Sequence, residues 1–143
     1  MSTVQIIQHG SKEYQEAVAL RDDVLRKPLG LAYTKEQLQQ EKDSHHLTCR
    51  VDNILVACLI LKPQDPDSLQ MRQFAVHTEY QGQGYGRQLA KFAEDFAKEK
   101  GFKEIFLHSR QVALSFYEKL GYQKEGKPFT EVTIPHYRMR KSL

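Results

Sequence analysis

The apolar positions of this chain change period several times, and each change marks an element. Val4, Ile6 and Ile7 fit a short opening strand. Tyr14, Ala17, Val18, Val24 and Leu25 then recur at helical spacing, and Arg21 falls on the same stripe, a charge where burial is expected. Thr34 with Gln37 three residues on reads as a capping box and predicts a short helix over Lys35 to Lys42. Leu47, Cys49 and Val51 alternate with polar neighbours, Asp52-Asn53 supplies a tight turn, and Ile54 to Leu61 is continuously apolar. That is a β-hairpin whose second strand lies inside a sheet. A strand from Leu69 to His77 follows, with Leu69 and Met71 in one phase and Phe74 and Val76 in the other. Either an extra residue forms a β-bulge near Arg72 to Phe74, or the strand is buried on both faces and phase carries no meaning.

From Gln81 to Gly101 the period is helical again: Tyr85, Leu89, Phe92, Ala93, Phe96 and Ala97 share one face, charges take the other, and Gly101 stops the helix. A strand at Glu104 to His108 and a helix with Val112, Ala113, Phe116, Tyr117 and Leu120 on one stripe come next, ended by Gly121. Tyr122 to Lys124 and Ile134 to Arg140 read as a last antiparallel pair. The order is strand, two helices, three strands, long helix, strand, helix, two strands, which is α/β with a mixed sheet.

Composition narrows the class. At 143 residues the chain suits one domain, expected to run 1–143, and no low-complexity stretch or linker divides it. The 21 Lys+Arg against 18 Asp+Glu leave +3, without a run of like charges, so a nucleic-acid partner is not expected. The longest apolar run falls far short of the ~20 residues that span a bilayer, so no membrane is expected either. Met1 to Gln5 has neither a basic start nor an apolar stretch, which points to a cytoplasmic protein. Cys49 and Cys58 lack the spacing of a disulfide framework or a four-ligand zinc site, so no metal is expected.

The candidate chemistry starts at Gln81-Gly82-Gln83-Gly84-Tyr85-Gly86, between a strand and the long helix. Glycines there permit backbone angles that a Cβ forbids and let a ligand approach the main chain. The unpaired N–H groups of a helix start, with the macrodipole, form an anion site, and Arg87 adds a full charge. An ATP-type loop requires Gly-Lys-Ser/Thr, and this one ends Gly86-Arg87-Gln88. A dinucleotide loop requires G-x-G-x-x-G, and the spacing here is G-x-G-x-G.

Gln81-x-x-Gly84-x-Gly86, preceded by Gln73-Phe74-Ala75-Val76 and followed by Ala113-x-x-Phe116-Tyr117-x-x-x-Gly121-Tyr122, resembles the GNAT superfamily of N-acetyltransferases. The resemblance implies an α/β (α+β) fold with a mixed, mostly antiparallel central sheet of six to seven strands, about four helices and a β-bulge in the fourth strand. It implies acetyl-CoA as acetyl donor, with no metal and no covalent enzyme intermediate. The pyrophosphate would rest on the amides of Gln81, Gly82, Gln83, Gly84, Tyr85, Gly86 and Arg87, and the pantetheine arm on Phe74, Ala75 and Val76. It also implies Tyr117 as the acid that protonates the departing thiolate. The acceptor would be a small-molecule or peptide amine, and a homodimer is left open.

Other assignments follow less directly. Glu79 and His77, just past the bulged strand, are candidate bases, with His108 and His136 beside them. Family members often carry Asn seven residues before the acid-type Tyr; here that position is Arg110, expected to meet the CoA phosphates or an acidic substrate. Arg21, Arg72 and His136 are candidate acceptor-site residues. Burying an arginine alone costs several kcal/mol, so Arg21 requires a carboxylate, carbonyls or a ligand nearby. The alternative function is a non-catalytic acyl-CoA-binding or sensing module, and a third is a nucleotide-phosphate binder of another kind.

Overall fold

The apolar run from Ile54 lies where its composition puts it, third in a seven-stranded sheet with helices on both faces. The computed structural model describes residues 1–143. Its strands are β1 (Ser2–Ile7), β2 (His45–Val51), β3 (Ile54–Pro63), β4 (Ser68–Val76), β5 (Glu104–Arg110), β6 (Gln123–Glu131) and β7 (Ile134–Ser142). Its helices are α1 (Lys12–Arg21), α2 (Lys35–Gln39), α3 (Tyr85–Glu99) and α4 (Leu114–Lys119). The sheet order is β1-β2-β3-β4-β5-β7-β6, antiparallel everywhere except between β4 and β5. The expected mixed, mostly antiparallel sheet with four helices is what forms.

Adjacent residues of β3 point to opposite faces, and each face has its own helix. Leu59 and Leu61 join Leu69, Met71, Ile105 and Leu107 beneath the Leu89, Ala93 and Ala97 stripe of α3. Cys58 turns the other way and packs with Ala75 against Ala17 and Leu20 of α1. Burial pushes the Cys58 thiol up to about 12 and also raises Cys49, so both sulfurs remain protonated packing groups.

Several boundaries differ from the sequence pattern. The long helix begins at Tyr85, because Gly82 and Gly84 hold φ of 77° and 91° and keep residues 81–84 as a loop. Its end is as read: Gly101 takes φ 89°, its N–H reaches the Lys98 carbonyl, and Phe102 N–H reaches that of Ala97. The capping box is present, with Thr34 Oγ1 accepting from Gln37 N–H at 3.1 Å and Gln37 Oε1 from Thr34 N–H at 2.9 Å. The helix it starts stops at Gln39 rather than Lys42, and the turn that follows brings the Glu41 carboxylate to Arg21. Val112 leaves the apolar stripe assigned to it and is 92% exposed, since it sits in a 3-10 turn before α4 begins.

Arg21 is 1% exposed and has the carboxylate its burial demands. Nη1 and Nη2 meet the Glu41 oxygens at 2.9 and 2.7 Å, and Tyr14 OH donates to the same carboxylate at 2.7 Å. His46 lies beside this group, with Nε2 donating to the Glu41 carbonyl at 2.8 Å. Burial holds the His46 imidazole below its ordinary value, with the charges of His9 and Arg21 acting the same way against the attraction of Glu41. The unfolded chain therefore binds this proton more readily, and stability falls as pH drops below about 6.5. His46→Gln is expected to flatten the fall in melting temperature between pH 7 and pH 5; an unchanged slope would remove His46 as its source.

Candidate active site

β4 and β5 pair in parallel only where Ser68–Met71 lies opposite Glu104–Leu107. Beyond Met71 they part, and the cause is on β4. Cys58 pairs with Ala75 and Ile60 with Arg72, so two steps along β3 match three along β4. The extra residue is a β-bulge with Gln73 at φ 53°, held by Tyr33 OH donating to Gln73 Oε1 at 2.6 Å. β5 meanwhile stays on β7 as far as Arg110. The β4 edge at Phe74, Ala75 and Val76 is thus left without a strand on that side, and a cleft of about 910 Å³ fills the gap.

The glycine loop closes one end of the cleft. No side chain caps α3, so the N–H groups of its first turn are open. A Cβ at Gly82 or Gly84 would meet nothing within 4 Å, which leaves the space above the loop clear for a ligand. At Gly86 a Cβ would stand 3.1 Å from Val76 Cγ2 and 3.5 Å from Phe116 Cζ, so glycine is what lets the helix start sit against β4 and α4. Gln81 Nε2 donates to the Val76 carbonyl at 3.0 Å and ties the loop to the strand. Gln81, Gly82, Gly84, Gly86 and Arg87 border the cleft, whereas Gln83 bonds back to the Glu79 carbonyl and Tyr85 packs on Tyr80. Open amides, a helix dipole and Arg87 suit an anion such as a diphosphate, and the free β4 edge suits an amide-bearing chain.

Tyr117 lies deeper in the same cleft. The turn that carries it is fixed by Gly121, whose φ of 95° lets Gly121 N–H reach the Glu118 carbonyl and Tyr122 N–H the Tyr117 carbonyl. Phe74 packs edge-on against Phe116 and Tyr117, at 5.6 and 6.2 Å between ring centroids, which links the acid-type residue to the bulged strand. No hydrogen bond from the chain holds the Tyr117 hydroxyl; burial pushes it above the ordinary phenol range, and the Arg110 charge pulls the other way.

The opposite wall carries groups that can accept a proton. His108 on β5, Glu131 at the end of β6 and His136 on β7 all border the cleft. His108 Nδ1 donates to Glu131 Oε1 at 3.2 Å, which leaves Nε2 with a free lone pair. His136 is buried, stacks on Phe129 and donates from Nδ1 to the Ile134 carbonyl at 3.0 Å. The turn that presents Glu131 is strained, with Val132 and Thr133 at φ 45° and 70°, conformations that β-branched residues avoid. His77 and Glu79 are not on this wall: His77 Nδ1 accepts from Glu79 N–H at 3.1 Å, capping a 3-10 turn, and neither side chain borders the cleft.

The arginines separate in the same way. Arg21 belongs to the buried pair with Glu41 and does not border the cleft. Arg72 borders the cleft beside the bulge. Arg110 reaches the α1 side, where Nη2 donates to the Leu25 carbonyl at 2.8 Å, and not the glycine loop. The Glu131 contacts were missed in the sequence pattern because residues 108 and 131 meet only through β7. Nowhere do three His, Cys, Asp or Glu side chains gather as a metal site, and no helix is long and apolar enough to cross a membrane.

Comparisons with known proteins point to one family. The uncharacterized protein YyaT of Bacillus subtilis (strain 168) is 34% identical over 74 residues, 52% of this chain and 50% of YyaT. The chain spans about half the length, or less, of the curated relatives it matches. A crystal structure from Lactobacillus plantarum superposes with a TM-score of 0.84 at 27% identity, each chain covered to 99%. A GNAT family acetyltransferase from Elizabethkingia anophelis with acetyl-CoA bound shares the fold, with a TM-score of 0.77 at 21% identity over 99% of this chain and 98% of that one. Residues 12–122 match the model of the acetyltransferase (GNAT) family, and that span takes in the bulged strand, the glycine loop and the Tyr117 helix. The chain belongs to the acetyltransferase (GNAT) family.

Proposed function

We propose that this protein transfers the acetyl group of acetyl-CoA to a primary amine by direct attack of the amine on the thioester. The observation that carries this reading is the parting of β4 and β5 at Gln73, which joins an open helix start to Tyr117 through one continuous cleft. Acetyl-CoA, when bound, supplies an activated acyl group. Gly82, Gly84 and Arg87 would hold its phosphates, and the β4 edge at Phe74 to Val76 its arm.

An alkylamine of pKa ~10.4 is the free base in only about one part in a thousand at pH 7.4, a barrier near 4 kcal/mol. His108 lowers that barrier by taking the proton on Nε2, with Glu131 fixing its tautomer and stabilising the imidazolium. Tyr117 donates its hydroxyl proton to the departing sulfur and is restored by the proton the nitrogen loses on forming the amide. One ammonium proton leaves through His108 to solvent, and the other ends on the thiol.

Thiol release from acetyl-CoA, followed over a panel of amines, tests the reading. Turnover on at least one amine is expected, with acetyl-CoA raising the melting temperature in preference to ATP or NAD. Tight acetyl-CoA binding with no turnover on any amine would instead establish the non-catalytic acyl-CoA-binding module.

A further inference from the structure

We propose that the acceptor is an amine that also bears an anionic group, a carboxylate or a phosphate, seated on Arg26 and Arg110 with Arg72 across the cleft. The proposal rests on the acetyl-transfer reading and identifies the class of molecule that reading leaves open. All three arginines border the cleft, and Arg26 and Arg72 also border a small polar cavity of about 140 Å³ that adjoins it and includes Lys62.

None of the three has a carboxylate within salt-bridge distance, and most of the neighbouring acids are engaged elsewhere. Asp23 meets Lys27 at 2.7 Å, whereas Asp22 approaches it only at 3.9 Å through Oδ2 and keeps a buried Oδ1 without a partner. Glu41 is bound at both oxygens by Arg21, and Glu131 lies against His108 and His136. Arg26 lies over the Tyr33 ring at 4.5 Å, which orients the guanidinium and leaves its N–H groups free. Arg110 donates one bond, to the Leu25 carbonyl, out of the five N–H groups a guanidinium carries. Burial and the nearby Arg26 charge weigh against the Arg110 cation, while Tyr33, Glu131 and Tyr117 act the other way. Planar forks fixed by stacking and by a backbone carbonyl are suited to bidentate capture of a carboxylate or phosphate.

The site is not the CoA phosphate cradle. Arg26 follows α1, which packs on the Cys58 face of the sheet, whereas the glycine loop opens α3 on the Leu59 face. The cleft passes through the sheet at the β4–β5 gap and connects the two. A molecule entering from the α1 side would meet Arg26 and Arg110 first and the His108–Glu131 pair two residues back along β5, one group suited to an acid and one to an ammonium.

The test compares ω-amino carboxylates, aminoalkyl phosphates and plain alkylamines of equal chain length as acceptors, with calorimetric binding of each to the same protein. The expected result is a kcat/KM for one anionic series at least about ten-fold above the alkylamines, the size of a charge-assisted pair. The carboxylate and phosphate arms decide which anion fits. Arg26→Gln and Arg110→Gln should each raise the acceptor KM about ten-fold with acetyl-CoA KM unchanged and melting temperature near wild type, and Arg110→Lys should recover part of the loss. Equal kcat/KM across the three series, or unchanged acceptor KM in both Gln variants, overturns the anion site while leaving acetyl transfer standing. Should acetyl-CoA neither bind nor turn over, the acetyl-transfer reading falls; the anion site is then judged by direct binding, where equal affinity of wild type and Arg26→Gln for both anionic series overturns it.

Discussion

Tyr117→Phe is expected to lower kcat ten-fold or more while leaving the KM for acetyl-CoA close to wild type. The substitution removes one oxygen from a residue packed by Phe74, Phe116 and Tyr122, so the turn and the bulged strand keep their places. General acids are worth about 10²–10⁴ in rate, so ten-fold is a floor set below that range. The hydroxyl has no partner in the chain, and burial keeps it protonated, the state in which an acid must enter. Burial also makes transfer to a thiolate uphill, and the Arg110 charge is the neighbour that opposes this. Steady-state kinetics with a fixed amine measures the effect, and turnover within two-fold of wild type would take the acid role from Tyr117.

Glu41→Ala should be among the most destabilising single changes in the chain, by about 3–5 kcal/mol, because it strands a buried guanidinium. Arg21 is 1% exposed, and the same carboxylate also receives Tyr14 OH at 2.7 Å. Typical folded domains are stable by only about 5–15 kcal/mol, so the loss would take a large fraction of the total. Urea unfolding with an unchanged m-value measures the loss. Replacing both charges, Arg21→Met with Glu41→Leu, should recover most of it, since a well-packed apolar pair avoids the desolvation of two ions. A loss below about 1 kcal/mol in Glu41→Ala would mean that water reaches Arg21.

The two residues show how far a linear pattern reaches. Arg21 was legible as an anomaly on an apolar stripe, and with it the need for a counter-charge, because burial of an ion has a fixed electrostatic consequence. The partner was not legible: Glu41 lies in what reads as a continuing helix, and only the arrest of α2 at Gln39 turns it inward. Glu94 behaves alike. It falls on the charged face of α3, yet it is 4% exposed and paired with Lys141 at 2.8 Å, because β7 brings the tail of the chain beneath it.

The phase slip at Arg72 to Phe74 was readable because side chains alternate with period two and an extra residue breaks the count. The glycine loop was readable because positive φ and an uncapped helix start leave a short local signature. Local geometry, set by neighbours in the chain, therefore announced the element order, the phase slip and the uncapped helix start, while the choice of a bulge over a strand buried on both faces came from the family resemblance. What only the tertiary structure decided is which distant groups share a wall. His77 and Glu79 cap their own turn, His108 meets Glu131 through β7, and Arg110 turns to Leu25. Those meetings depend on strand order and register across the sheet, and no spacing along the chain encodes them.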